Sequence, residues 1–199
     1  LYAAWSLTII TIGLTVWSIL SGVLSWHIAW IVGLGLFGGW FYSMPPVAFE
    51  RRGLGELDNA VLGAFLMPLM GFAAQTGEPT LTAFVNLTPI FSIVMVGLIG
   101  VHWADRLADA AVGKRSLVVI VGERIRYAHY GFALLAYGLA LVLAESTMPF
   151  QVSIAILATF PAGVWAVVTF GKESSPTPSV FAMMGTLAAA SIGWVIAGS

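Results

Sequence analysis

The chain has 199 residues, of which eight are Lys or Arg and nine are Asp or Glu, together 9%, against about a quarter in ordinary globular domains. Apolar residues make up 59%, and the first charged residue is Glu50. So few charges cannot cover a water-soluble domain, and disorder requires the opposite composition. The net charge of −1 excludes a basic field for nucleic acid. The absence of cysteine excludes disulfides and thiolate sites.

The charge-free windows predict the helices in chain order. The window 1–49 is long enough for two spans of about 20 residues, with a turn at 21–26, where small and polar residues cluster. The runs are continuous and apolar on all sides, which favours helices over the alternating strands of a β-barrel. We therefore predict an all-α integral membrane protein with a single transmembrane domain over 1–199. Its seven helices are expected at about 3–20, 26–43, 57–75, 81–103, 128–145, 149–170 and 178–197.

The basic residues predict the orientation of this bundle. All eight Lys and Arg residues fall in the connections 44–56, 104–127 and 171–177, and none falls in the intervening turns. By the positive-inside rule, these three loops face the cytoplasm, as does Leu1, whereas Ser199 faces the opposite side. Of the acidic residues, only Glu78 and Glu145 lie on that opposite side. We expect an integral protein of the cell (inner) membrane with its polar site on the cytoplasmic face.

The segment 101–117 carries the first candidate site. Asp105 and Asp109 are four residues apart, so they share one face of a helix end. Two carboxylates on one face are what Mg²⁺ uses when it also holds a diphosphate, and Lys114 and Arg115 follow with charges suited to phosphate oxygens. His102 is three residues before Asp105 and faces the same side. Solvated aspartates at a helix end, with basic residues anchoring the loop, explain the same spacing equally well.

The segment 42–57 carries the second candidate site. Pro45 and Pro46 end the preceding helix, and Arg51 and Arg52 then bring two cations to the cytoplasmic face. A helix stop followed by arginines that reach to the membrane surface is the simpler interpretation of this loop taken alone.

Together the two segments resemble the UbiA superfamily of intramembrane prenyltransferases. The resemblance rests on Tyr-Ser-x-Pro-Pro from Tyr42, followed by Arg-Arg-Gly-Leu-Gly-Glu-Leu, and on Asp-x-x-x-Asp-x-x-x-Gly-Lys-Arg-Ser-Leu from Asp105. The Gly-Leu-Gly-Glu-Leu and Gly-Lys-Arg-Ser-Leu runs look most like the menaquinone branch, which prenylates 1,4-dihydroxy-2-naphthoate.

The resemblance implies an enzyme that takes a prenyl diphosphate and an aromatic acceptor inside the membrane lipid. Asp105 and Asp109 match the family's second Asp-rich motif and would hold Mg²⁺. Lys114 and Arg115 match its basic tail and would contact the diphosphate. Tyr42, Arg51 and Arg52 would lie in the loop that closes over the site and would bind the substrates. His102 would supply a further polar contact to them.

Two departures from the family pattern shape the expectation. The family has nine helices and a first Asp-rich motif after its second helix, whereas no Asp or Glu precedes Glu50 here. The first helix of this chain therefore aligns with the family's third, and the fold is a truncated form of the nine-helix bundle. The residues 101–104 also lack the Asn and Arg that the menaquinone branch places before its first Asp.

Two other functions compete with a prenyltransferase. A non-catalytic structural or assembly protein would keep the fold without the first motif. A transporter would place ionisable residues near the membrane midplane, whereas here they lie in loops or at helix ends. His27 and His129 receive no catalytic role, because His27 lies on the far side and His129 begins a helix at the surface.

Overall fold

The structure is a computed structural model that describes residues 2–144, 146–172 and 175–198. Within these ranges the chain is helical and has no strand. The expectations for Leu1, Glu145 and Ser199 fall outside the described residues. The prediction of an all-α bundle with seven long helices is confirmed. The helices are α1 (Tyr2–Leu20), α2 (His27–Phe41), α3 (Gly55–Thr76), α4 (Leu81–Ala111), α5 (Ile125–Leu143), α6 (Phe150–Thr169) and α7 (Thr177–Gly198).

Three of the long helices are irregular. α3 contains a π-helical segment, Val61–Leu66, between two α-helical parts. α4 and α6 are interrupted at Leu87 and Thr159, each two residues before a proline, because proline cannot donate a backbone hydrogen bond within a helix. The loops add a short helix, Leu117–Val121, which we call the loop helix, and two turns of 3₁₀-helix, Phe49–Arg51 and Gly122–Arg124.

Five helices are long and apolar enough to cross a membrane: α1, α3, α4, α6 and α7. α2 is apolar but has only 15 residues, and α5 has 19 residues and carries Arg126 near its start. A helix forms its backbone hydrogen bonds within itself. The lipid core requires this, because no water is available there to bond the backbone. The chain is an integral membrane helical bundle.

The core lies around α4, which has twelve buried residues, Asn86 among them, and packs against α3, α5 and α7. Gly97 and Gly100 let α7 approach closely, since a Cβ at either position would overlap the side chains of Met183 or Ser179. Small residues at such contacts are the usual means by which membrane helices pack. α1 is the opposite case: none of its residues is buried, and it contacts α2, where Trp5 and Trp40 have ring centroids 4.5 Å apart.

The observed helix ends differ from the expected ones in two places that concern the site. α4 continues to Ala111 rather than ending at 103, so Asp105 and Asp109 lie within its last turns. α5 begins at Ile125, and the prediction that His129 lies at the surface is wrong. His129 is fully buried; its Nε2 lies 3.0 Å from Ser179 Oγ, and its ring stacks on Phe170 at 4.1 Å. The hydroxyl and the aromatic ring offset part of the cost of removing the imidazole from water, whereas Nδ1 is buried with no hydrogen-bond partner among the described residues.

Candidate active site

The loops at the charged end of the bundle are joined through Glu56, in the first turn of α3. Glu56 is 0% exposed. Its Oε2 accepts a hydrogen bond from the Leu117 N–H at 3.0 Å, and Oε1 accepts one from the Val118 N–H at 3.5 Å. These N–H groups at the start of the loop helix have no partner within the helix itself. The carboxylate therefore supplies the acceptors that fix the loop helix to α3.

His102 of α4 completes this buried contact. Its Nδ1 lies 3.0 Å from Leu98 O and 3.6 Å from Glu56 Oε1. Both neighbours are acceptors, so the hydrogen-bond geometry assigns the proton to Nδ1. His102 is 8% exposed. It is thus held against Glu56, one turn below Asp105 on the same helix.

Gly53 brings the 42–57 loop against the loop helix. Its φ is +74°, a conformation that favours glycine. A Cβ at Gly53 would lie 2.6 Å from Ile120 Cδ1 and 3.8 Å from Arg115 O. We call Gly53, Glu56, His102, Ser116 and the first residues of the loop helix the buried junction. It ties together the two segments that the sequence singles out.

The two aspartates occupy different environments beside this junction. Asp105 is exposed, and Asp109 is half-buried. Lys114 Nζ donates to Asp109 Oδ1 at 3.4 Å and lies 3.2 Å from Oδ2. The turn is closed by the Lys114 N–H, which donates to Asp109 O at 2.9 Å. Lys114 is therefore held over the last turn of α4 rather than extended into solvent.

The pKa of Lys114 reports which groups surround it. Burial lowers this pKa, but the hydrogen bond and charge of Asp109, together with the charges of Tyr42 and Glu50, outweigh burial, and the pKa lies above its usual value. Asp109 belongs to one segment, and Tyr42 and Glu50 belong to the other. Groups of both candidate loops thus act on the pKa of one ammonium group.

The remaining predicted cations, Arg51, Arg52 and Arg115, are exposed. Arg51 Nε is 3.9 Å from Glu50 Oε1, and Arg52 Nη2 donates to Pro46 O at 2.7 Å. Arg106 instead folds back over the Trp103 ring at 4.0 Å. We call the exposed or half-exposed set the charged rim. Its members are Tyr42, Arg51, Arg52, Asp105, Asp109, Lys114 and Arg115.

The rim fits one mode of magnesium binding. In the described part of the chain, no three His, Asp or Glu residues are grouped as a metal cage. Asp105 and Asp109 provide two carboxylates at adjacent turns, with Asp105 open to solvent. Mg²⁺ commonly takes one or two protein carboxylates and completes its shell with water and substrate phosphates. The donor set therefore suits Mg²⁺ bound together with a phosphorylated ligand.

A cavity of about 590 Å³ lies at the other end of α3 and α4. Pro68, Phe72 and Leu87 are among the residues that line it. Among its polar lining residues is Asn86, whose Nδ2 donates to Thr147 O at 3.0 Å and whose Oδ1 accepts from Thr147 Oγ1 at 2.7 Å. This end of the bundle therefore offers a mainly apolar space in which the Asn86 amide is already hydrogen-bonded.

Two acidic side chains at the start of α3 were not predicted as site residues. Glu56 binds the loop helix, as described, whereas Asp58 turns towards α2, where a Cβ on Gly38 would lie 2.7 Å from its Oδ1. The signal for Glu56 was present in Gly-Leu-Gly-Glu-Leu, where two glycines precede a carboxylate at the start of an apolar helix. A carboxylate in that position must find donors when the helix packs.

A helical membrane bundle with carboxylates and cations in the loops at one end defines an integral membrane protein with a charged face at that end. The chain matches the model of the UbiA prenyltransferase family over residues 1–189 and belongs to that family. Comparison with curated proteins and with solved structures found no match. Family membership implies prenyl transfer to an aromatic acceptor, in a membrane lipid environment.

Proposed function

We propose that this chain performs the Mg²⁺-dependent transfer of a polyprenyl group from a prenyl diphosphate to 1,4-dihydroxy-2-naphthoate, in menaquinone biosynthesis. The observation that carries the proposal is the buried junction, in which Glu56 accepts the Leu117 N–H at 3.0 Å and lies 3.6 Å from His102 Nδ1. These groups come from the two segments that match the family motifs. The Gly-Leu-Gly-Glu-Leu and Gly-Lys-Arg-Ser-Leu runs support the menaquinone branch.

The charged rim is suited to the diphosphate. In the proposed complex, Asp105 and Asp109 would hold Mg²⁺, and the ion would supply positive charge to the diphosphate. Lys114 and Arg115 contact the phosphate oxygens, with Arg51 and Arg52 on the facing loop. Fixed cations of this kind stabilise negative charge that develops as the bond to the prenyl carbon breaks.

The buried junction positions the rim in this proposal. Glu56 fixes the loop helix, and the loop helix directly follows Lys114 and Arg115. His102 contacts Glu56 rather than solvent, so it acts as a positioning residue beneath Asp105. A site whose ligands are supported in this way keeps its geometry when the substrate binds.

The apolar interior supports the tail-binding part of the proposal. The path along α4 from Asp105 to Asn86 is about 28 Å at 1.5 Å per residue, which would accommodate a long polyprenyl chain. Each buried CH₂ contributes roughly 0.8 kcal/mol. We therefore place the tail between the rim and the cavity beside Phe72 and Leu87.

We further propose that the seven helices correspond to the last seven of a nine-helix bundle in the cell inner membrane, with the charged loops cytoplasmic. α1 has no buried residue, which supports this arrangement, since an additional helix pair would have an uncovered apolar face to pack on. The first Asp-rich motif would lie in that pair. A non-catalytic member of the family is the alternative, favoured by the lack of a three-ligand metal group among the described residues.

The test measures product formation in membranes. Membranes carrying this chain, or the chain extended by its upstream coding sequence, are incubated with Mg²⁺, a prenyl diphosphate and 1,4-dihydroxy-2-naphthoate. We expect prenylated naphthoate from the extended chain, with at least about a 10²-fold loss in Asp105→Ala and no loss in Glu78→Gln, an exposed carboxylate outside the rim. Absence of product from both chains, or full activity in Asp105→Ala, would overturn the proposal.

A further inference from the structure

A groove lies between α5 and α6, away from the charged rim. Its volume is about 440 Å³, and its lining is apolar. Leu134 and Leu141 of α5 and Phe160 of α6 line it and remain 76%, 62% and 52% exposed. The α5 residues recur every three or four positions from Tyr130 to Leu141, so they form one stripe along the helix.

The length of the groove matches one leaflet of a bilayer. Tyr130 and Leu141 are separated by about 16 Å along α5. The hydrocarbon core of a bilayer is about 30 Å thick. The groove therefore extends over about half of the core, which is the depth of a single layer of acyl chains.

A smaller, charged pocket continues from the groove at its loop end. It has a volume of about 180 Å³, and Arg126, Lys172 and Glu123 contribute its charged groups. Trp103 and Phe170 form aromatic walls. Among the described residues, neither Arg126 nor Lys172 takes part in an ion pair. Two cations and one carboxylate leave the pocket with an excess of one positive charge.

Tyr130 joins the two spaces, because it lines both the groove and the charged pocket. Arg126 lies one turn before Tyr130 on α5 and so lies above the same stripe. Tyrosine suits this boundary, since its ring is apolar and its hydroxyl is polar. The result is one continuous surface, charged at the end of the bundle and apolar over the depth of a leaflet.

We propose that this surface binds an anionic phospholipid, separately from the substrates of the proposed transferase. The phosphate lies between Arg126 and Lys172, where a guanidinium and an ammonium attract it. Glu123 accepts a hydrogen bond from a hydroxyl of the head group, which favours a singly charged glycerol head. One acyl chain follows the groove from Tyr130 to Leu141. The inference depends on the outer surface of α5 and α6, not on the reaction.

Two variants remove the two halves of the site. Arg126→Gln with Lys172→Gln neutralises the head-group pocket, and its matched control is Arg124→Gln, which removes an exposed cation from the same loop but lies outside the pocket. Gly138→Leu fills the groove: Gly138 lines it, and a Cβ there meets no atom within 4 Å. Its matched control is Gly33→Leu on α2, which is equally unobstructed.

The readout is native mass spectrometry of the purified chain titrated with palmitoyl-oleoyl phosphatidylglycerol, with the phosphatidylcholine analogue and inorganic phosphate as parallel probes. We expect phosphatidylglycerol to bind most tightly and to lose about fivefold in affinity for each cation removed. Gly138→Leu should also lose phosphatidylglycerol binding, and both control variants should retain it. Equal binding of the two lipids, displacement by inorganic phosphate at matched concentration, or full retention in either site variant would overturn the proposal.

Discussion

The buried junction and the charged rim belong to the same two loops but have opposite character. In the junction, Glu56 is fully buried and each carboxylate oxygen accepts a backbone N–H. In the rim, Asp105 and Arg115 are exposed, and Arg52 contacts only a backbone carbonyl. The junction uses its polar groups within the protein, whereas the rim keeps its polar groups accessible. Because the junction fixes the two loops, the charged side chains of the rim stay on one face even though not all of them form ion pairs.

Removing Glu56 should have the largest effect on stability. Glu56→Ala leaves the Leu117 and Val118 N–H groups buried without an acceptor, which should lower the free energy of unfolding by about 3 kcal/mol. Glu56→Gln keeps one carbonyl acceptor and should cost about 1 kcal/mol. The measurement is unfolding in mixed micelles by increasing SDS, followed by tryptophan fluorescence.

The matched control is Glu78→Gln, because Glu78 is exposed at the other end of the bundle, and its stability should not change. Asp105→Ala serves as the rim counterpart and should also leave stability within about 0.5 kcal/mol of the parent chain. If Glu56→Ala were as stable as these two variants, the distinction between junction and rim would fail.

Two glycines with the same backbone conformation sharpen the comparison. Gly53 in the junction and Gly113 in the loop after α4 have φ of +74° and +75°. Valine at either position introduces the same backbone strain. At Gly53 a Cβ would also lie 2.6 Å from Ile120 Cδ1 of the loop helix, whereas at Gly113 a Cβ meets no atom within 4 Å.

We therefore expect Gly53→Val to cost about 1–2 kcal/mol more than Gly113→Val. The difference between the two variants, measured by the same micelle unfolding, isolates the packing of the 42–57 loop on the loop helix. Equal losses would show that this packing contributes nothing to stability.

The smallest expected effect concerns the two lysines of the chain, Lys114 and Lys172. The pKa of Lys114 is raised because Asp109, Tyr42 and Glu50 outweigh the opposing effect of burial. Below its pKa, a lysine with a higher pKa has a smaller fraction of the free amine that reacts with acylating reagents. At pH 8.5, acetylation followed by mass spectrometry should modify Lys114 a few-fold more slowly than the exposed Lys172.

Asp109→Asn removes the charge that holds this ammonium group and should bring the reactivity of Lys114 close to that of Lys172. The exposed Arg124→Gln should not change it. Acetylation of Lys114 in the parent chain at the rate of Lys172 would show that the Asp109–Lys114 contact does not persist in solution.

Hydropathy was sufficient to predict the number of helices, because each apolar window is long enough for one span and is bounded by charges or turn residues. It was insufficient for the end of α4, since Trp103 to Ala111 form a helix that carries three charges beyond the apolar window. It also misplaced His129. The burial of this residue depends on Phe170 and Ser179, both of which lie more than forty residues further along the chain. Contacts of that kind leave no local pattern.

The candidate site shows the same division. The spacing of Asp105 and Asp109 was visible because it follows from one helix. The role of Glu56 was not, because its donors lie 61 and 62 residues away. The Gly-Leu-Gly-Glu-Leu run indicates a carboxylate that needs donors, but it does not indicate where in the chain those donors lie. The sequence motif contains Glu56 without indicating what it binds. Its buried hydrogen bonds to the loop helix explain why a carboxylate stands at this position.

The π-helical segment of α3 has a consequence for how this helix serves both ends of the molecule. A π-turn holds one more residue than an α-turn, so Val61–Leu66 rotates the two parts of α3 relative to each other. Glu56 on the first part can therefore point to the loop helix while Phe72 on the second part lines the distant cavity. Deleting a single residue from this segment would restore regular α-helical winding and turn one of these two side chains away from its partner.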